Sequence, residues 1–275
     1  NYGITLLALE EPVERQRMFY AIEADNGLYP RLRVEYTTQI DTEPPNVDVQ
    51  TLPRWSKSEF TVQWSGDDPG GSGINYYDVQ YRIPGEAWTI WLNNTELTSA
   101  EWVGGSNGTV YEFRARGVDN AGNIEDWPDD RQAWTEVDAI PPAASVNTLP
   151  PITFSQSFGV AWAGSDNTGG SGVDVFDVQY REEGDPWDNW FVGTDQTSAT
   201  FTGADNGETY QFRARAIDVA GNVQPWSAVP QAETLIDIEE PTAWIEPFAT
   251  VITDTNKTDT FPVRWDGMTS DNTTL

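Results

Sequence analysis

The chain has 275 residues and contains neither cysteine nor histidine. No disulfide can staple the fold, and no zinc site built on thiolate or imidazole can form. Nucleophilic catalysis of the Ser-His or Cys-His kind is excluded, because one or both of its members are missing. The lack of cysteine leaves the redox compartment open. Lysine is almost absent, found only at Lys57 and Lys257. With 44 acidic against 15 basic residues, the formal charge is −29. A polyanion of this kind repels nucleic acid and has no basic patch to overcome the repulsion. No apolar run approaches the roughly 18 residues of a membrane-spanning helix.

Aromatic residues are plentiful: 13 Trp, 10 Tyr and 11 Phe, enough for well-packed cores. Their positions repeat. Tyr81, Trp88, Trp91, Tyr111 and Trp127 recur 99 positions on as Tyr180, Trp187, Trp190, Tyr210 and Trp226. Trp64 pairs with Trp162 at 98, so one residue is gained between them. Four segments follow: 1–40, which does not fit the repeat; a first unit over 41–137; a second over 138–236; and the start of a third over 237–275. "SEFTVQW", "QSFGVAW" and "DTFPVRW" mark the same strand in the three copies. The third copy and segment 1–40 read as partial domains, so a longer polypeptide is expected.

Within a unit the period is two. Tyr77, Val79 and Tyr81 share one face of "YYDVQYR", while Asp78, Gln80 and Arg82 share the other. Tyr111, Phe113 and Ala115 oppose Glu112, Arg114 and Arg116 in the same way. Such alternation predicts half-buried strands, and turn clusters such as "GDDPGGSG" separate them. The expectation is an all-β chain of seven-stranded antiparallel sandwiches, with Trp64 and Trp162 between the sheets and little helix. Gly122 and Gly221 are expected to serve the turn that follows "FRARGVD" and "FRARAID". Pro141, Pro142 and Pro241 stiffen short linkers, so the sandwiches should follow one another as a rod.

Trp64, "YDVQYR", "YEFRARGVDNAGN" and their second copies resemble the fibronectin type III superfamily, in the form found on secreted and surface proteins of bacteria and archaea. The resemblance implies immunoglobulin-like sandwiches and an extracellular, cell-surface setting. Phe19, Glu23, Pro30, Arg31, Leu32 and Tyr36 resemble the closing residues of DNRLRE-type jelly-roll domains, some of which are linked to carbohydrate binding.

Three groups of residues are candidate sites. Asp67 or Asp68 with Asp119, and Asp166 with Asp218, lie on loops that such a sandwich brings to one end, together with Asn120, Asn123 and Asn222. They are expected either to hold Ca²⁺, which takes several oxygen ligands, or only to cap turns. Arg82, Arg114 and Arg116 with Trp88, Trp91, Trp127 and Trp134 form the second group, repeated as Arg181, Arg213, Arg215, Trp187, Trp190 and Trp226. They read as a stacked Arg-Trp ladder on the outer sheet face, or alternatively as a carbohydrate platform. Asn93, Asn107, Asn256 and Asn272 fit the glycosylation pattern, or are turn residues. A glycosidase carboxylate pair would have to appear in both copies, and no stretch departs from the repeat to build a cleft. The chain is therefore read as non-catalytic. The first reading is a segment of an extracellular structural or adhesive protein, a stalk, sheet or filament subunit whose partners are other copies or neighbouring domains. The alternative is a spacer or carbohydrate-binding appendage of a secreted polysaccharide-degrading enzyme.

Overall fold

The computed structural model describes residues 40–245 and 265–268. The readings of 1–40 as a jelly-roll end, and of Asn256 and Asn272 as sequons, fall outside that range except for Ile40. The described residues form strands and no helix. The first unit comprises β1 (Asn46–Val49), β2 (Trp55–Ser56), β3 (Phe60–Asp67), β4 (Ile74–Arg82), β5 (Thr89–Thr95), β6 (Ser99–Trp102), β7 (Val110–Asp119) and β8 (Ala133–Val137). The second repeats the plan with β9 (Ala143–Val146), β10 (Ile152–Thr153), β11 (Ser157–Ser165), β12 (Val173–Glu182), β13 (Asp188–Thr194), β14 (Ser198–Thr202), β15 (Thr209–Asp218) and β16 (Ala232–Ile236). Each unit is a two-sheet sandwich. One sheet has the order β1-β3-β6, the other β2-β8-β7-β4-β5, and the second unit matches strand for strand.

The expected seven antiparallel strands are present in each unit, with one addition. β2 and β10 are two-residue strands that pair parallel to β8 and β16. The chain crosses from the small sheet to the large one here. The Ser56–Thr135 and Thr153–Thr234 hydroxyl pairs, both at 2.8 Å, fasten the crossing. Two-residue strands are too short to carry a legible period.

The cores lie where the alternation places them. Trp64 and Trp162 are each 1% exposed, and Val62, Val79, Phe113 and Val137 are fully buried, as are Val160, Val178, Phe212 and Ile236. Burying each such side chain is worth about 1.5–3 kcal/mol. Tyr111 and Tyr210 fasten the turn before their own strand, each hydroxyl accepting a backbone N–H five residues upstream at 3.1 Å, from Ser106 and Asp205. That is the tyrosine corner of such sandwiches. Gly122 and Gly221 have φ of +94° and +92° in the turn after β7 and β15, a conformation that a side chain would strain.

The open side of each sandwich is closed by side chains. Glu125 accepts from Val47 N–H at 3.1 Å and Gly117 N–H at 2.9 Å, and so ties β1 to β7 across the sheets. Gln132 accepts from Ala115 N–H and donates to Val47 carbonyl, both at 2.7 Å. Gln224 and Gln231 perform the same task in the second unit. Beyond it, β17 (Thr242–Ile245) pairs antiparallel with β18 (Trp265–Met268). Ile245 faces Trp265 as Val49 faces Trp64 and Val146 faces Trp162, so the third copy opens in the same register.

Candidate functional site

Two constellations stand out, one on the outer face of the large sheet and one at the end of each unit. On the outer face, antiparallel register sets Arg82 opposite Glu112, Gln80 opposite Arg114, and Asp78 opposite Arg116. These three rows are successive same-face positions, about 7 Å apart, room for one aromatic ring between neighbours. The indole of Trp88 fills the first gap, with the guanidinium carbons of Arg82 and Arg114 each 4.3 Å from its ring centroid. Trp127 fills the second, 5.1 Å from Arg114 and 4.6 Å from Arg116. The stack is Arg82–Trp88–Arg114–Trp127–Arg116. The second unit builds Arg181–Trp187–Arg213–Trp226–Arg215 at 4.2–4.9 Å. Each indole therefore has a guanidinium over both faces.

The edges of the guanidiniums are satisfied as well. Arg114 donates to Gln80 at 2.8 Å and to the Pro128 carbonyl at 2.6 Å. Arg116 is paired with the buried Asp78 at 2.9 Å, and Arg215 with Asp177 at 2.7 Å. Glu112 is held by Arg82 at 2.6 Å and also by Arg131. Burial would raise its carboxyl, but the hydrogen bonds from both arginines prevail and hold it below the usual range. Burial is the main reason Arg114 and Arg213 are shifted down, with the neighbouring arginines adding to it.

Trp91 and Trp190 are not in the stacks. Trp91 packs inward, its ring centroid 6.3 Å from Trp64 and 5.4 Å from Trp102. Trp190 lies 6.0 Å from Trp162 and 5.4 Å from Phe201. The cause is a break in register between β4 and β5, and between β12 and β13, which turns two consecutive residues of the edge strand toward the core. Trp134 is apart from the ladder too, and the guanidinium over it is that of Arg131, at 5.2 Å. Trp88 and Trp127 reach the sheet from loops, not from strands.

At the end of each unit, carboxylates from three segments converge. Asp41, Asp68 and Asp119 form one group, and Asp138, Asp166 and Asp218 the other, with one oxygen of each within 4.8 Å of the others. Of the two first-unit alternatives, Asp68 is the one that enters, while Asp67 is exposed at the end of β3. Asp41 and Asp138 were not among the expected residues, because they sit in linkers that read as spacers. Asp68 accepts from Gly73 N–H and Asp166 from Gly172 N–H, both at 2.7 Å. Asp119 and Asp218 are each 1% exposed and accept the backbone and side-chain N–H groups of Asn123 and Asn222. Burial would raise the Asp119 carboxyl, but those bonds outweigh it and lower it. Asn120 donates to the Ser72 and Gly73 carbonyls and so ties the two loops together.

Asn93 is exposed on β5. Asn107 accepts the Ala139 N–H at 2.8 Å, and Asn206 accepts the Ile238 N–H at the same distance. Asn206 is followed by Gly-Glu and is no sequon. The position thus has a structural use in both copies.

Residues 151–233 match the fibronectin type III domain. The two described units are tandem fibronectin type III-like sandwiches. The chain is 32% identical over 221 residues to exoglucanase B of Cellulomonas fimi, which spans 77% of this chain and 19% of that enzyme. It is 26% identical over 247 residues to chitinase A1 of Niallia circulans, 82% of this chain and 32% of the enzyme. The chain thus spans a third or less of either relative. Among solved structures, the FN1–FN3 domains of chicken CNTN1 cover 80% of this chain, and this chain covers 77% of them, at 17% identity and a TM-score of 0.44.

Proposed function

We propose that this chain is a non-catalytic spacer within an extracellular bacterial enzyme that degrades a polysaccharide. Two relatives named for action on glucan and chitin support the setting. The observation that carries the spacer role is the ladder. A sugar platform needs open aromatic faces, whereas the indoles of Trp88, Trp127, Trp187 and Trp226 are covered on both sides. Over residues 40–241, Phe154 is the one exposed aromatic, too little for a row of stacking rings. In this role the ladder stiffens the large sheet, its guanidiniums covering the indole rings. The catalytic domain belongs to another part of the polypeptide. Antibodies raised against the chain should capture from the culture medium a larger protein that hydrolyses glucan or chitin. Capture of a cell-bound polymer without hydrolytic activity would instead favour the second reading, a surface stalk or filament built from the same rods.

The acidic triads favour one addition to either reading, a Ca²⁺ ion at each. One oxygen of each carboxylate lies within 4.8 Å of the others, no more than about twice a Ca–O bond, and the donors are hard carboxylates from three segments. The buried Asn167 Oδ1, beside Asp166, has no hydrogen-bond partner and offers a further oxygen. Calorimetric titration of the chelator-treated chain with Ca²⁺ tests this. Two sites lost on Asp119→Ala and Asp218→Ala support it, and an absence of heat rejects it.

A further inference from the structure

We infer that the linker aspartate before each unit is a shared joint residue that locks consecutive sandwiches into one stiff rod. Asp138 shows both halves of the joint. Toward the first unit, its N–H donates to the Ser56 carbonyl at 2.9 Å, and the next N–H, of Ala139, donates to Asn107 Oδ1 at 2.8 Å. Toward the second unit, its carboxylate accepts the Ser171 N–H at 2.7 Å and its carbonyl accepts Asn222 Nδ2 at 2.8 Å. Four hydrogen bonds thus fix two consecutive residues from opposite sides, and Asp138 is 1% exposed.

Each half recurs elsewhere in the chain. Asp237 and Ile238 leave the second unit as Asp138 and Ala139 leave the first, bonded to the Thr153 carbonyl at 3.0 Å and Asn206 Oδ1 at 2.8 Å. Asp41 enters the first unit as Asp138 enters the second, accepting the Ser72 N–H at 2.7 Å and Asn123 Nδ2 at 3.2 Å. The joint is therefore a repeated element with its own residue code: an Asp in the linker, an Asn in the turn before β7 or β15, and a Ser and an Asn in the loops of the following unit. The two units also come close beside it. A Cβ built on Gly221, in the second unit, would lie 4.0 Å from Lys57 Cε of the first. A linker held from both sides has few torsions left to bend, in contrast to the flexible linkers that ordinarily separate domains. This holds whether the rod serves an enzyme or a surface stalk.

The cysteine-free sequence makes the test direct. Glu101→Cys and Thr200→Cys, at exposed positions of β6 and β14, carry one nitroxide label in each unit of the full chain. Double electron–electron resonance then reads the distance distribution between units, recorded in EDTA so that its width reports the hydrogen bonds alone. The wild-type joint should give one narrow peak. Asp138→Ala should broaden it severalfold while the near-ultraviolet circular dichroism of the tryptophans stays native. Asp138→Asn retains an oxygen for Ser171 and should stay narrow. Should Asp138→Ala disturb the second core, Asn107→Ala removes one of the two bonds from the first unit, leaving only the Ser56 carbonyl, and should broaden the peak by itself. A broad wild-type distribution, or narrow peaks in both alanine variants, overturns the inference.

Discussion

Single residues distinguish the two units despite their common plan. Trp162 donates its indole N–H to the Gln196 carbonyl at 2.7 Å, while the buried Trp64 Nε1 has no partner. Replacing either by Phe removes a similar volume from a similar core. Trp162→Phe also removes that hydrogen bond, so it should cost about 1 kcal/mol more than Trp64→Phe in denaturant unfolding. Equal costs would mean that the indole N–H of Trp64 finds a partner. Glu125 and Gln224 offer a second contrast, doing one task with different charge. Burial pushes the Glu125 carboxyl up, with Asp48 adding and the Val47 and Gly117 N–H groups opposing. An acid raised on folding costs stability above its unfolded pKa, and the cost fades as pH falls through the folded value. Glu125→Gln should therefore stabilise the first unit by up to about 1 kcal/mol at neutral pH. The gain should vanish below the carboxylate range, as read by melting temperature against pH. Glu112 has the opposite sign. Its lowered carboxyl contributes stability that is present above the unfolded pKa and lost as pH falls through the folded one.

Among the elements, the ladder is the feature with the largest expected effect. Arg114 touches two indoles and donates two hydrogen bonds, so Arg114→Ala should destabilise the first unit by about 2–4 kcal/mol. Arg114→Lys keeps the charge but loses the planar fork, and should recover less than half of that. Full recovery by Lys would reduce the stack to a simple charge effect. Much of this element was legible beforehand. Period-two alternation put the three arginines of each unit on one face, and the 99-residue repeat showed that the tryptophans travel with them. Trp91 and Trp190 were misplaced because a register break between strands inverts the alternation and leaves no mark in a single sequence. The triads were half legible for a related reason. Loop residues Asp68, Asp119, Asp166 and Asp218 follow from the topology of such sandwiches, whereas Asp41 and Asp138 join them only through the path of the linker. Likewise, Glu125 and Gln132 look like ordinary loop polars until the first strand is seen beside them.

At the scale of the molecule, the design is repetition with private cores. Each unit buries its own tryptophan and closes its own open side with Glu125 and Gln132 or Gln224 and Gln231, and the first passes the chain on through Asp138, held from both sides. Length can be added without new chemistry, which suits a spacer. An acidic surface of formal charge −29 also discourages like rods from associating. In the spacer role we propose, the rod holds other parts of a polysaccharide-degrading enzyme apart and binds no sugar itself. The most direct measurement is co-sedimentation of the purified chain with insoluble cellulose and with chitin over a range of concentrations. As a spacer, the chain should stay in the supernatant on both. Saturable binding that is lost on Trp88→Ala or Trp187→Ala would contradict it, and would make the ladder a sugar-binding surface.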